Sequence, residues 1–184
     1  MKVLVFLAEG FEEVEALTVV DYLRRTDIKV DTVSITEDKL VKGAHDIIVT
    51  ADKLLSDVKH PQIYNGLIIP GGMPGATNLK DNSNVIKLVK KFDKENKLVA
   101  AICAGPIVLQ EAGIISGKRV TSYPGFEDQL EGCNYCKDKV TRDGNIITAR
   151  GPAIAVDFVM KIIEYLLGKG KINALKESIL YEME

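Results

Sequence analysis

Apolar residues along the chain follow two periods. Continuous apolar runs of strand length at Lys2 to Leu7, Gly66 to Pro70 and Lys97 to Ile102 read as strands covered on both faces of a parallel sheet. Between the first run and the next, Val14, Leu17, Val20, Asp21 and Arg24 step at helical intervals. Acidic residues at the start of that helix and Arg24-Arg25 at its end complement its dipole, which by itself accounts for Glu12, Glu13 and Glu15. Residues 28–36 alternate as a second strand, giving a βαβ unit with a right-handed crossover by default. Leu40 to Leu55 reads as an antiparallel excursion, with Asp46 to Thr50 as its best strand and Lys42-Gly43 as its turn. Pro70-Gly71-Gly72-Met73-Pro74-Gly75 is a breaker cluster, and a helix from about Ser83 to Asn96 follows it.

After Ile102 a helical pattern opens at Pro106 through Ile107, Val108, Leu109 and Glu111, and Gly113 closes it. A strand near Arg119 to Tyr123 leads into a polar loop holding Cys133 and Cys136. Lys139 to Arg142 and Asn145 to Arg150 flank Asp143-Gly144, a hairpin signal. Pro152 starts a long helix that Gly168 ends, and Lys171 to Leu180 reads as a terminal helix. Strands alternating with helices imply an α/β fold, a doubly wound and mostly parallel sheet with helices on both faces, in one domain spanning residues 1–184. Ligands bind such sheets beyond the carboxyl ends of the strands, where strand order reverses. The loops Glu9–Glu15, Pro70–Gly75 and Cys103–Pro106 each follow a buried strand, so all three are expected on that edge.

Composition narrows the function classes. The chain of 184 residues is 46% hydrophobic and 27% charged with a net charge of −2, and no basic tract offers a nucleic-acid surface. Lys87, Lys90, Lys91, Lys94 and Lys97 fall at helical spacing among acids, as a solvated helix face does. No run approaches a membrane span, and the apolar start is too short for a signal peptide. Three cysteines, an odd number, suit a reducing compartment, so a cytoplasmic address is expected.

The candidate chemistry centres on Cys103. A strand that turns straight into a helix at a cysteine lifts the thiol from the sheet end toward a helix N-terminus, where unpaired N–H groups favour an anion. Holding that thiol as a thiolate at neutral pH requires about 2 kcal/mol of preference for the anion, and a helix dipole supplies only about 0.3–1 kcal/mol. Turn N–H groups and a protonated carboxyl must supply the rest. Glu15, one turn into its helix at the reactive edge, can be that carboxyl, its proton retained by burial and the neighbouring anion. Gly71-Gly72 is either a tight turn or a place where backbone N–H groups approach an oxyanion, with the N–H of Ala104 as second donor.

The segments Ala8-Glu9-Gly10-Phe11-Glu12-Glu13-Val14-Glu15, Pro70-Gly71-Gly72, Ala100-Ala101-Ile102-Cys103-Ala104-Gly105-Pro106 and Ala149-Arg150-Gly151-Pro152 together resemble the ThiJ/PfpI superfamily. They are most similar to its Parkinson-disease-protein branch, the glyoxalase and protein-deglycase branch. The resemblance implies a flavodoxin-like sandwich of the class I glutamine amidotransferase kind and a homodimer. It also implies Cys103 as an oxidisable nucleophile, Glu15 as its protonated partner, and Gly72 and Ala104 as oxyanion donors. Gly71, Gly105, Tyr123 and Arg150 are expected to line the substrate or anion pocket, Arg150 at its dimer edge.

Two departures from the family pattern matter. Tyr123 stands where many relatives have a histidine, and His45 and His60 lie in no nucleophile-partner motif, which disfavours a protease or amidase relying on a Cys–His pair. Cys133-Asn134-Tyr135-Cys136 supplies at most two metal ligands and reads as two loop thiols. The expected activity is a cofactor-free and metal-free reaction on methylglyoxal-like dicarbonyls or their protein adducts. The alternative is an oxidative-stress redox sensor or chaperone that uses the same sulfur.

Overall fold

The first apolar run, β1 (Lys2–Leu7), lies inside a seven-stranded sheet in the computed structural model, which describes residues 1–181. α1 (Glu13–Arg25) returns the chain to β2 (Lys29–Ser34), parallel to β1. A hairpin of β3 (Leu40–Lys42) and β4 (Ile48–Thr50) stands apart from the sheet, and β5 (Lys53–Leu54) closes its edge beside β2. The chain then crosses to the other side of β1 as β6 (Gly66–Ile69). Next come α2 (Gly75–Asp81), α3 (Ser83–Lys94), β7 (Leu98–Ile102) and α4 (Pro106–Glu111). A small pair, β8 (Arg119–Val120) with β9 (Asn134–Tyr135), precedes the hairpin of β10 (Val140–Asp143) and β11 (Ile146–Ala149). α5 (Ala155–Leu167) and α6 (Gly170–Ser178) end the described chain.

The sheet order is β10-β11-β7-β6-β1-β2-β5, parallel except for β10. Strand order therefore reverses between β1 and β6, and the loops after these two strands meet at that point. Strand periodicity divides β1 between two cores. Val3, Val5 and Leu7 face α1 and α5, whereas Leu4 and Phe6 face the layer of α2, α3 and α4. The doubly wound architecture of the sequence reading is the observed one.

Local differences have physical causes. α2 lies where the sequence reads as a breaker cluster running up to the next helix. Pro74 occupies its N-cap, and Ala76 and Leu79, three apart, bury one face of only seven residues, too short for a periodic signal. The excursion at 40–55 is an antiparallel hairpin as expected, but its last residues pair with β2 in parallel and join the main sheet. The second hairpin turns through Gly144 and Asn145, one residue later than Asp143-Gly144, because Asp143 still pairs with Ile146. The strand expected to reach Tyr123 stops at Val120, and Pro152 opens a 3-10 turn over Pro152–Ile154 ahead of α5.

Asn82 ends α2 and caps α3, its side-chain oxygen accepting the N–H groups of Asn84 at 3.0 Å and Val85 at 3.2 Å. Asn82→Ala is expected to lower unfolding free energy by about 1 kcal/mol, read as a shifted urea midpoint at constant slope.

Candidate active site

Three loops converge beyond the strand ends. Cys103 leaves β7 with φ at +62°, a left-handed conformation rare for a residue with a Cβ. Its N–H donates to the Ala149 carbonyl at the end of β11, and its carbonyl accepts the N–H of Tyr123, each at 2.9 Å. These two bonds pin the bend from opposite sides. Gly105 is needed because a Cβ there would lie 2.8 Å from the Ile69 carbonyl, so α4 could not start so close to β6. Cys103 is half-buried.

Glu15 is fully buried at the first turn of α1. Its Oε2 accepts the Gly71 N–H at 2.8 Å, while Oε1 has no hydrogen-bond partner of good geometry. Gly71 also ties the loops together, since its carbonyl accepts the Glu12 N–H at 3.0 Å. A Cβ on Gly71 would lie 2.6 Å from Cys103 Cβ and 2.7 Å from Glu15 Oε2, so acid and thiol approach each other across a glycine that leaves them room. Gly72, at φ +86°, lies so close to the backbone of Gly10, Phe11 and Glu12 that a side chain could not fit.

The two acids set each other's proton affinity. Burial pushes the Glu15 carboxyl up to about 7, against the lowering effect of the Gly71 N–H and the thiol. Burial, then the charge and hydrogen bonding of Glu15, push the Cys103 thiol up to about 12, whereas the N–H groups of Ala104 and Gly72 favour its anion. The second value describes a thiol beside an ionised carboxylate. Above about pH 7 the pair therefore holds one proton between two acids. The sulfur has two N–H donors to stabilise an anion, whereas Oε1 has none, so a proton on Oε1 leaves no buried charge unpartnered. The expected rise of the Glu15 carboxyl by burial is what the structure gives, and thiol and carboxyl titrate as a pair.

The sequence-predicted residues do not all join this cluster. Glu15, Gly71, Gly72, Cys103, Ala104 and Gly105 come together. Tyr123 meets Cys103 through its backbone, with its ring half-exposed against Gly151. Arg150 follows Ala149 at the same edge, but its guanidinium donates to the Lys137 carbonyl at 3.1 Å. Cys133 and Cys136 are free thiols, bonded to the Leu130 carbonyl and the Thr141 hydroxyl. A cavity of about 620 Å³ lined by Ile35, Leu54, Val58, Asn82 and Leu88 among others shares no residue with the cluster and contains neither a thiol nor a buried acid.

Dipole complementarity does not explain all three helix-start glutamates, since Glu13 and Glu15 are buried. His45, which no motif singled out, lies 2.9 Å from Glu13 through its Nδ1. The two are 32 residues apart, and no local pattern connects them.

Residues 1–165 match the DJ-1/PfpI family. The chain belongs to that family. It is 38% identical to protein dj-1beta of Drosophila melanogaster over 96% of this chain and 95% of the relative. It is 33% identical to the glutathione-independent glyoxalase DJ-1 of Schizosaccharomyces pombe over 97% and 98% of the two chains. The crystal structure of Drosophila melanogaster DJ-1beta superposes with a TM-score of 0.94 at 37% identity, covering 99% of this chain and 98% of that one. Among the described residues of this DJ-1/PfpI member, no helix is long and apolar enough to cross a membrane.

The raised Glu15 value carries a stability consequence. Between its ordinary 4.5 and about 7 the folded state holds a proton that the unfolded state has released, so this group makes stability fall as pH rises through that window. Glu15→Gln removes the buried charge. It is expected to be more stable than wild type by about 3 kcal/mol at about pH 8, with the gain vanishing toward about pH 4, as read by denaturant unfolding.

Proposed function

We propose that the protein is a cofactor-independent glyoxalase that converts small dicarbonyls such as methylglyoxal to hydroxy acids, or releases them from protein adducts. The single observation carrying this reading is the placement of a fully buried Glu15 carboxyl, held by the Gly71 N–H, across that glycine from the Cys103 thiol, beside the N–H groups of Gly72 and Ala104. The S. pombe relative named as a glutathione-independent glyoxalase supports it.

The steps balance without an added oxidant or reductant. Cys103 Sγ, as thiolate, bonds to the aldehyde carbon, and the carbonyl oxygen takes the proton of Glu15, giving a hemithioacetal and leaving Glu15 as the carboxylate. Gly72 and Ala104 N–H groups stabilise the oxyanion until that proton arrives. The Glu15 carboxylate then removes the hydrogen from the former aldehyde carbon as a proton and returns it to the adjacent carbon, while the proton on the hemithioacetal oxygen passes to the former ketone oxygen, so the ketone becomes an alcohol and the sulfur-bearing carbon a thioester. Water cleaves the thioester, releasing lactate and the free thiol. The requirement is one acid that alternates between proton donor and acceptor near neutral pH, and burial tunes Glu15 to that range.

The expected homodimer belongs to the same proposal. Val14 and Leu17 on α1 and Ile47 and Ile48 on the β3–β4 hairpin are exposed apolar side chains that a second copy can cover. Sedimentation equilibrium is expected to give twice the chain mass, and Leu17→Glu to shift the population toward the monomer.

Incubation with methylglyoxal is expected to yield lactate without glutathione. Cys103→Ala should abolish turnover, and Glu15→Gln should slow it by roughly 10²–10⁴-fold. Undiminished lactate formation by Cys103→Ala overturns the mechanism. Negligible turnover together with selective gain of two oxygens at Cys103 under mild peroxide replaces it with redox sensing by the same sulfur.

A further inference from the structure

A second titratable cluster lies at the rim of the site. Glu13 is buried, and its carboxylate accepts the backbone N–H of His45 at 2.8 Å and lies 2.9 Å from the same residue's Nδ1. Glu12 Oε1 is 3.6 Å from that nitrogen. His45 occupies the turn of the β3–β4 hairpin, which is stitched to the loop after β1 by two backbone bonds. Gly10 N–H donates to the Lys42 carbonyl and Ala44 N–H to the Phe11 carbonyl, each at 2.8 Å. A Cβ on Gly43 would overlap the Glu13 carboxyl, so the turn seats directly on that side chain. Everything clamped here leads into Glu15, two residues further along α1.

Resting on the Cys103–Glu15 chemistry proposed above, we infer that His45 is a positioning residue: through Glu13 it fixes the start of α1, and its imidazolium offsets the charges of Glu12 and Glu13 facing the shared proton. The other charged groups near the imidazole are Lys42 and Asp46, which pair with each other on the hairpin, and Glu9, which faces Lys42. With Lys42 matched by Asp46, His45 is the cation that answers Glu12 and Glu13. Its hydrogen bond to Glu13, then the charges of Glu12 and Glu13, hold the imidazole proton above the ordinary imidazole range. Burial opposes ionisation of Glu13, and the bonds from His45 outweigh it and keep the carboxyl below its ordinary range. As pH rises the imidazolium is lost, and Glu12, whose charge raises the Glu15 carboxyl, is no longer balanced. Proton release from the catalytic pair is thereby coupled to the charge state of a residue that touches neither the thiol nor its acid.

The test is the pH profile of Cys103 alkylation by iodoacetamide in the full chain, with methylglyoxal turnover measured alongside. His45→Gln is expected to move the inflection up by about 0.5 pH units, equivalent to a roughly threefold slower reaction on the rising limb. His45→Arg, which keeps a permanent cation, is expected to hold the inflection at or below that of wild type. An unmoved inflection in His45→Gln, or equal upward shifts in both variants, overturns the inference and leaves the glyoxalase reading intact. Glu15→Gln separates the two: if it leaves the wild-type inflection in place, the pair itself fails, and this inference fails with it. NMR titration of the wild-type imidazole is independent of how the variants fold. A His45 value above about 6.5 that falls in Glu13→Gln supports the coupling, and a value at the free imidazole level overturns it.

Discussion

One proton shared between a thiol and a carboxyl that cannot both be charged without cost is the constraint on which the rest of the site depends. Glu15 has no exposure to solvent, and one of its oxygens has only the Gly71 N–H as partner. An acid so placed keeps its proton to higher pH than an exposed one, and any neighbouring anion strengthens that tendency. Cys103 is the acidic neighbour, across Gly71. Neither group can be understood by its own titration, because each supplies a large part of the other's environment.

The fold exists around this pair in a specific sense. Parallel strands deliver the loops after β1, β6 and β7 to one edge, and the reversal of strand order leaves a gap between the first two into which a side chain from α1 can turn. Close approach is then limited by backbone volume. A Cβ on Gly71 would strike the thiol and the acid, and one on Gly72 or Gly75 the loop after β1. The left-handed bend at Cys103 is held by bonds to Ala149 and Tyr123, so the strain of the turn is borne by β11 and by the segment after β8. Side chains carried on strand ends and a first helical turn are positioned more rigidly than side chains on long loops.

The same logic extends outward to the β3–β4 hairpin. It contributes nothing to the main sheet, yet its turn supplies two donors to Glu13 and closes over the entrance to α1. A buried carboxylate two residues from Glu15 would destabilise the helix start unless it were paired, and the hairpin provides the pairing. Electrostatics at the rim and geometry at the centre are therefore carried by one short stretch, residues 9–15, anchored from both sides.

Much of this was legible in the chain itself. Uninterrupted apolar runs state that a strand is covered on both faces, and their alternation with helical periods implies the doubly wound sheet and the common edge for three loops. Cys103 was legible because a strand, a small-residue bend and a proline-led helix abut within ten positions. What could not be read locally was whatever depends on contact between distant segments. The neighbours of Glu15 include Gly71 and Cys103, in the loops after β6 and β7, far from it in the chain. The bond between His45 and Glu13 spans 32 residues, and α2 exists because two apolar side chains found the layer beneath them. The guanidinium of Arg150 turns to the Lys137 carbonyl for the same kind of reason. Periodicity records which face of an element is buried, but a pKa depends on what lies within a few ångströms, and that is decided only when the chain has closed on itself.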